Sequence, residues 1–236
     1  MLFGSFASIL LLMCDIVLIL PAYNEARHLS GLIEKIDRVT SGKYALVVID
    51  DGSTDETAKV LAQYPHLHAI HHNKNLGKGA ALQSGIQFAL SRFNASALLF
   101  MDADGQHSPD DIGKLIEAHR RRRGDFIIGR RDFKRGVMPF FRILSNRLTS
   151  AMVSLKIGQR VHDSQSGFRL IRSELLLRIG ECQSRGYEFE TELLLKSAKC
   201  GAKIYEVPVT TIYGNQKSHI RPVRDILRFL RVWLKT

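Results

Sequence analysis

The chain is short of the residues that build disulfide or zinc scaffolds. Its three cysteines, Cys14, Cys182 and Cys200, are odd in number, widely spaced and without a Cys-x-x-Cys pair. This pattern indicates neither a disulfide framework nor a zinc site, and it fits a reducing, cytosolic setting. Hydrophobic residues make up 45% of the 236 positions, which is enough for one domain with a proper core and short appended pieces.

Long hydrophobic runs are missing as well. Before Asp15 the N-terminus offers about a dozen apolar residues, fewer than the roughly 20 that a spanning helix needs, and it lacks the basic start of a secretory signal peptide. We expect residues 1–14 to form an apolar leader that lies on a surface or is poorly ordered, with a membrane anchor as the alternative. No later run reaches spanning length, so we expect any membrane contact to be peripheral.

Acidic residues are in the minority: 23 Asp and Glu stand against 34 Lys and Arg, which gives a net charge of +11. Such an excess attracts polyanions, namely nucleic acid, anionic lipid headgroups or phosphorylated substrates. The chain shows no aromatic-rich RNA-binding motif, and the run from Arg120 to Arg123 is typical of a solvated helix end. We therefore expect no nucleic-acid partner; a non-catalytic binder of nucleic acid or anionic membranes is the remote alternative.

Short apolar runs alternate with helical patterns in the first half of the chain. Strands that alternate with crossover helices predict an α/β fold, in which helices cover both faces of a mainly parallel sheet. The predicted strands are residues 16–20, 45–49, 67–70, 97–101 and 126–128. The second half predicts an interfacial helix pair over 138–157, a polar loop over 162–169, a helix over 188–200, a strand over 203–209 and a basic helix from Pro222.

Polar turns follow three of these strands at their carboxyl ends. They are Pro21-Ala22-Tyr23-Asn24-Glu25, the run from Asp50 to Asp55, and the run from Asp102 to His107. Ligands of parallel sheets bind beyond the carboxyl ends of the strands, so the three turns predict one site. Residues 53–55 are typical caps for the helix that follows. The adjacent carboxylates of Asp50 and Asp51 repel each other unless something neutralises or hydrogen-bonds them.

Asp102 and Asp104 are the most informative pair. Residues i and i+2 of a strand point the same way, so the two carboxylates are expected to project together from the strand end. With the amide oxygen of Gln106 they suit Mg²⁺ or Mn²⁺, which take oxygen ligands and share their other positions with water and phosphates. For the Asp-x-Asp pattern alone, a solvated turn is the alternative.

Six distinctive segments follow one another along the chain. They are residues 21–25, 50–55, Asn75-Leu76-Gly77-Lys78-Gly79, 102–107, Gly129-Arg130 and the run from Asp163 to Arg169. This ordered set resembles the family-2 glycosyltransferases with the GT-A fold, and within them the polyprenyl-phosphate sugar transferases of the dolichyl-phosphate mannose synthase type. The resemblance implies a Rossmann-like GT-A domain over residues 15–220. The residues that follow predict a basic amphipathic C-terminal helix over 221–236.

The resemblance also implies a nucleotide-sugar donor, GDP-mannose or UDP-glucose, and a Mg²⁺ or Mn²⁺ ion. Asp104 and Gln106 would bind the metal beside Asp102, with Asp104 as a catalytic carboxylate. For Lys78, a solvated helix start is the alternative to a phosphate contact. Pro21, Tyr23, Glu25, Ile49 and Asp51 would surround the base and ribose, while Lys78, Asp102, Ala103, Asp104 and Arg130 would lie along the diphosphate.

For the acceptor, the resemblance implies basic and hydroxyl side chains that hold a lipid-linked phosphate. A phosphate monoester is largely a dianion at neutral pH and needs little activation. Asp163 is the candidate base if one is needed; holding Arg169 or capping its loop is the alternative role. Arg130 completes the expected catalytic set. The candidate acceptor residues are Arg130, Arg131, Arg142, Ser145 and Arg147.

The resulting prediction is a metal-dependent, inverting transferase that moves a hexose to a polyprenyl phosphate at the cytoplasmic face of a membrane. Transfer to a glycan or small-molecule hydroxyl is the alternative. Lys217 and His219 are candidates to close over the diphosphate. In the C-terminal helix, apolar residues interleave with arginines as in interfacial helices, and packing on the core is the alternative. Those apolar residues are Ile226, Leu227, Leu230, Val232 and Trp233.

Overall fold

The computed structural model describes residues 14–132, 140–212 and 222–236, without the side chains of residues 140–142 and 222–225. Most of the leader, and the loop with Lys217 and His219, lie outside the described residues. The strands are β1 (Ile16–Ala22), β2 (Ala45–Asp50), β3 (His68–His71), β4 (Ala97–Phe100), β5 (Phe126–Arg131), β6 (Arg169–Arg172) and β7 (Ile204–Val209). The helices are α1 (Ala26–Thr40), α2 (Thr57–Leu61), α3 (Lys78–Arg92), α4 (Ile112–Arg120), α5 (Phe140–Ile157), α6 (Ser173–Ile179), α7 (Phe189–Lys199) and α8 (Pro222–Lys235).

One seven-stranded sheet organises these elements, in the strand order β3-β2-β1-β4-β6-β5-β7. β1 is parallel to β2 and β4, β2 to β3, and β5 to β7, whereas β6 runs antiparallel between β4 and β5. The carboxyl ends of β1, β2 and β4 therefore meet at one edge, where the three polar turns begin. The predicted α/β class with a mainly parallel sheet is confirmed.

An apolar layer packs on each face of the sheet, so the central strands are buried on both faces. In β1, Leu18 and Leu20 belong to the layer that contains α1 and α4. Val17 and Ile19 belong to the opposite layer, with α3 and α7. A strand that is buried on both faces is continuously hydrophobic rather than alternating, which is why these strands are conspicuous in the sequence.

Two predicted elements differ from the structure. Residues 140–157 form one continuous helix instead of a pair, because no Gly or Pro interrupts them. Strand β6 starts at Arg169, inside the segment predicted as a polar loop, and α6 follows it without a predicted counterpart. Arg169 is fully buried because its guanidinium donates to the carbonyls of Ser164, Ser166 and Glu190 at 2.6–2.8 Å. Charge alone therefore does not mark a residue as exposed.

Helix α3 approaches the sheet closely at Gly85. A Cβ atom at this position would lie 2.7 Å from Ile19 Cγ2 and 2.7 Å from Ile49 Cδ1, well inside van der Waals contact. Gly31 in α1 offers a matched comparison, because a Cβ atom there would meet nothing within 4 Å. The two glycines separate the effect of packing from that of helix propensity.

We expect Gly85→Ala to lower the free energy of unfolding by about 1 kcal/mol or more, because overpacking outweighs the better helix propensity of alanine. Gly31→Ala should raise it by up to about 1 kcal/mol. Urea denaturation of both variants measures the difference. A Gly85→Ala variant that is more stable than the parent would contradict the close approach of α3 to β1 and β2.

Candidate functional site

The first two polar turns are locked together by Asn24 and Asp55. Asn24 has a left-handed backbone (φ 58°), and its side-chain oxygen accepts a hydrogen bond from the N–H of Asp55 at 3.3 Å. Asp55 accepts from the N–H of Ala26 (3.2 Å), at the start of α1, and of Thr57 (2.9 Å), at the start of α2. The predicted capping of the following helix is confirmed for Asp55, which in addition binds the start of α1 and so ties two helices together.

Asp51 is buried and fastens the next loop to the end of β2. One of its oxygens accepts a hydrogen bond from Leu76 N–H (3.0 Å) and the other from Gly77 N–H (2.8 Å). His72 Nδ1 lies 2.7 Å from the first oxygen, and His71 Nδ1 lies 3.1 Å from Asp50. These hydrogen bonds stabilise the two carboxylates and so offset the expected repulsion between Asp50 and Asp51. In the structure Asp51 positions the loop before Lys78, and its contact with the donor stays a prediction.

Asp102, just beyond β4, is held between Lys78 and Gly167. Lys78 Nζ lies 2.6 Å from Asp102 Oδ1 and 3.3 Å from Glu190 Oε1 in the first turn of α7. Burial alone would raise the pKa of Asp102, but the neighbouring positive groups, Lys78 first among them, together outweigh it and the pKa is lowered. A Cβ atom at Gly167 would lie 2.3 Å from Asp102 Oδ2. Lys78 is thus a buried ion-pair partner, and the alternative of a solvated lysine is wrong.

Asp104 stands in a crowded group of carboxylates. It accepts a hydrogen bond from Gln106 N–H (2.9 Å) across a turn in which Gly105 has a φ of 74°. Burial and the charge of Asp102 raise the pKa of Asp104. Burial, followed by the neighbouring carboxylates with Asp104 first, raises the pKa of Glu25 to about 7. A cation bound here would relieve this excess of negative charge.

Asp102, Asp104 and Gln106 are the residues that fit a divalent cation at this edge. Within the described part of the chain, no group of three or more His, Cys, Asp or Glu side chains is arranged to hold a metal. Two carboxylates and an amide leave the remaining positions to water and phosphate, as is usual for Mg²⁺. The pKa values of Asp104 and Glu25 are raised first by burial and then by neighbouring carboxylates, and a bound cation would counter the second cause.

Two predicted donor residues do not face the site. Ile49 is fully buried and packs with α3, on the same side of β2 as Val47. The side-chain alternation of a strand sets this direction, so the prediction that Ile49 contacts the base is wrong. The Ala103 side chain is buried in the opposite apolar layer. Pro21 and Tyr23 are partly exposed at the end of β1.

Asp163 holds Arg131. Arg131 Nε donates to Asp163 Oδ2 and Arg131 Nη2 donates to Asp163 Oδ1, each at 2.8 Å, and the Arg131 backbone N–H donates to Oδ2 at 3.1 Å. Because Arg169 bonds to backbone carbonyls, the expected contact between Asp163 and Arg169 is wrong. Asp163 is fully buried with both oxygens engaged, so it is poorly placed to take a proton from a substrate. This geometry favours a positioning role over that of a base.

A basic cavity of about 770 Å³ lies between the end of β5, α5 and residues 158–162. Ser145 is exposed but does not line the cavity, and the Arg142 side chain lies outside the described residues. Arg131 links the two regions, because its charge also acts on Asp102 and Asp104. Three predicted acceptor residues, Arg130, Arg131 and Arg147, line the cavity, together with Arg160 and Ser150, which have no sequence motif to mark them.

Comparison with known proteins assigns the chain to a family. Residues 17–180 match the family described as Glycosyl transferase family 2. The chain belongs to this family. It is 31% identical to polyprenol monophosphomannose synthase of Mycolicibacterium smegmatis, over 82% of this chain and 76% of that protein. It is also 31% identical to UDP-N-acetylglucosamine–dolichyl-phosphate N-acetylglucosaminyltransferase of Methanococcus voltae, over 84% of this chain and 86% of that protein.

A solved glycosyltransferase shares the fold. Glucosyl-3-phosphoglycerate synthase of Mycobacterium tuberculosis, in complex with Mn²⁺, UDP and glucosyl-3-phosphoglycerate, superposes with a TM-score of 0.71 at 19% identity. The match covers 94% of this chain and 79% of that one. The predicted GT-A fold and the predicted enzyme class, a glycosyltransferase, are confirmed.

His107 is a residue of this glycosyltransferase to which the sequence assigned no role. It is buried, its ring lies 5.3 Å from that of Phe168, and its backbone pairs with Thr211. Burial lowers its pKa to about 4, so the imidazole is neutral near pH 7. Among the described residues its Nδ1 has no hydrogen-bond partner. The residue links the turn of Asp102 and Asp104 to the segment after β7, and its only sequence signal is its place after Gln106.

The raised pKa of Glu25 predicts that stability falls as pH rises. From the ordinary value of 4.5 to about 7, the folded glycosyltransferase binds more protons at Glu25 than the unfolded chain does. The free energy of unfolding therefore decreases through that window. Glu25→Gln, which cannot ionise, should remove this slope, whereas the exposed control Glu174→Gln should keep it. Urea denaturation on both sides of the window tests this, and equal slopes in the parent and Glu25→Gln would contradict it.

Proposed function

We propose that this glycosyltransferase transfers a hexose from a nucleoside diphosphate sugar to a polyprenyl phosphate, with inversion, at a membrane surface. The observation that carries the proposal is the basic cavity beside the carboxylate-rich edge of the sheet, with Arg131 between them. The carboxylates suit a metal-bound diphosphate, and the guanidinium groups suit a phosphate that arrives without a metal. The names of the relatives, which include polyprenol and dolichyl-phosphate transferases, support this acceptor class.

The donor would lie along the ends of β1, β2 and β4. Asp102, Asp104 and Gln106 would hold Mg²⁺ or Mn²⁺, which neutralises the charge that develops on the departing nucleoside diphosphate. Pro21 and Tyr23, partly exposed beside Glu25, would meet the base and ribose. GDP-mannose and UDP-glucose are the donors to test first, with UDP-N-acetylglucosamine, which a relative's name contains, as a third.

The acceptor phosphate would lie in the basic cavity. Guanidinium groups bind phosphate oxygens in pairs, and Arg130, Arg147 and Arg160 are available there. A phosphate oxygen attacks the anomeric carbon, the bond from that carbon to the diphosphate oxygen breaks, and the nucleoside diphosphate leaves with the electron pair. The acceptor is already a dianion, so no proton has to be removed first. This agrees with the engagement of Asp163 by Arg131.

The membrane contact would come from the outer faces of α5 and α8. No helix in the described ranges combines the length and apolar character that a bilayer span requires. In α8, Leu230, Val232 and Trp233 pack against the core, so core packing holds for part of this helix. Nearby Arg231 and Lys235 are exposed and suit an anionic lipid surface. The large apolar side chains left outside are Ile226, Leu227 and Leu234 of α8 and Leu144, Leu148 and Leu155 of α5.

Transfer can be measured directly. Purified protein with labelled GDP-mannose or UDP-glucose, polyprenyl phosphate and Mn²⁺ should yield a lipid-linked sugar. Asp104→Asn should lower the rate by about 10²- to 10³-fold, because the variant loses charge that stabilises the leaving diphosphate through the metal. Asp110→Asn removes a carboxylate that is paired with Lys35 at the surface, and should retain the parent rate.

The same purified protein distinguishes the proposal from its two alternatives, which are transfer to a hydroxyl acceptor and a non-catalytic binding protein. Transfer to a soluble sugar hydroxyl with none to the lipid phosphate would favour the second acceptor class. An unchanged rate in Asp104→Asn would exclude the metal role. Salt-sensitive oligonucleotide binding without nucleotide-sugar binding would revive the non-catalytic alternative.

We expect the membrane contact to depend on the exposed leucines. Leu227→Glu in α8 and Leu148→Glu in α5 should each weaken binding to anionic vesicles by about tenfold, because burying one leucine side chain contributes roughly 1.5–3 kcal/mol. Val39→Glu, an exposed apolar position on α1, is the matched control. Co-sedimentation with vesicles of mixed neutral and anionic phospholipid measures binding. Parent-like binding by both leucine variants would contradict a contact through these faces.

A further inference from the structure

Lys78 is shared by two carboxylates that belong to different parts of the molecule. Its Nζ lies 2.6 Å from Asp102 Oδ1, at the candidate metal site, and 3.3 Å from Glu190 Oε1, on α7. All three side chains are mostly buried, with exposures of 17% for Lys78, 23% for Asp102 and 10% for Glu190. Glu190 belongs to none of the polar turns, so the sequence gives no reason to connect it with the site.

The backbone around Lys78 is held in place, whereas the stem of a lysine side chain is intrinsically flexible. Gly77 N–H is bonded to Asp51, and a Cβ atom at Gly79 would lie 2.6 Å from Phe189 Cβ, so the start of α3 fits tightly against α7. The Glu190 backbone is held too, since its carbonyl accepts from Arg169 at 2.7 Å. A lysine has four flexible methylene groups, so its ammonium group can shift between neighbouring partners while its backbone stays in place.

A divalent cation and an ammonium group compete for the same carboxylate. Two cations that share Asp102 repel each other, and the repulsion is strong because the surroundings are buried. An ammonium group pushed from Asp102 into an apolar environment would be an uncompensated buried charge, which is costly. Glu190, already within 3.3 Å, removes that cost because it offers a second carboxylate. The ring of Tyr187, 5.7 Å from Lys78 Nζ, adds a favourable face for the cation.

We propose that Lys78 is a tethered cation that competes with the divalent metal for Asp102, and that Glu190 is the positioning residue that receives its ammonium group when the metal binds. This inference rests on the proposed function, because it takes Asp102 as part of the metal site. Glu190 thereby sets the metal affinity without contacting the metal. The displaced ammonium group remains beside the donor diphosphate. Its positive charge attracts the diphosphate, which is also the ligand that brings the metal.

Mn²⁺ binding without donor, measured by electron paramagnetic resonance of the free ion, tests the inference apart from catalysis. Lys78→Gln should bind Mn²⁺ about tenfold more tightly than the parent, because the competing cation is gone. Glu190→Gln should bind about tenfold more weakly, in the range typical of residues that act on a metal through its ligands. A merely structural role would weaken binding in both variants.

The double variant Lys78→Gln/Glu190→Gln separates the exchange from simple long-range attraction. If Glu190 acts through Lys78, Glu190→Gln should leave Mn²⁺ affinity nearly unchanged when Lys78 is already Gln. Lys78→Arg, which keeps the charge, should stay near the parent. Lys59→Met removes a lysine from an exposed pair with Glu56 and should also bind as the parent does. Urea denaturation of every variant identifies any loss of folding.

Each outcome has one reading. A Lys78→Gln variant that binds Mn²⁺ no more tightly than the parent, or a Glu190 effect that persists in the double variant, overturns the inference. If Asp104→Asn abolishes Mn²⁺ binding while the Lys78 variants match the parent, the proposed metal role stands and only the inference fails. If neither the parent nor Lys78→Gln binds Mn²⁺, both fail. Binding by Lys78→Gln alone supports the inference.

Discussion

The arrangement of this site depends on how crowded carboxylates are compensated at one edge of the sheet. Parallel β1, β2 and β4 end together, so their turns carry Glu25, Asp51, Asp102 and Asp104 to a common rim. Asp51 is satisfied by backbone N–H groups and Asp102 by Lys78. Glu25 and Asp104 retain raised pKa values. Burial and the neighbouring carboxylates thus leave a deficit of positive charge here, which the proposed metal-bound diphosphate would fill.

Charge also separates the two regions that we propose bind phosphate groups. The proposed donor edge is acidic, and the cavity along α5 is basic. Between them, Asp163 fixes Arg131 with two hydrogen bonds of 2.8 Å, and a guanidinium held in this way keeps its direction. A buried pair of this kind adds little net stability because both charges lose their water, so its value lies in placing one cation near both regions.

Sequence reasoning succeeded where one physical rule sets the outcome. The doubly buried strands and the turns at their carboxyl ends predicted the sheet, the edge and the carboxylates of Asp102 and Asp104. It failed where contacts between residues far apart in the sequence determine the direction or the partner of a side chain. Nothing local shows that Ile49 faces α3, that Asp163 pairs with Arg131 instead of Arg169, or that Glu190 approaches Lys78 across 112 positions of sequence. The prediction that Arg169 belongs to a polar loop was wrong for a related reason. Only the assembled fold supplies the three carbonyls that allow its burial.

In the proposed function, the unbroken helix α5 would connect acceptor recognition with the membrane. Arg147, Ala151 and Leu155 lie at spacings of four residues, so they share one side of the helix, and all three line the cavity. Leu155 is 81% exposed, so the cavity passes directly from guanidinium groups to an apolar surface. A free phosphate would use only the arginines. A polyprenyl phosphate matches both ends of this gradient, because its headgroup and chain need opposite surroundings within the length of one helix. A break in α5, such as the predicted helix pair implied, would separate these two surfaces.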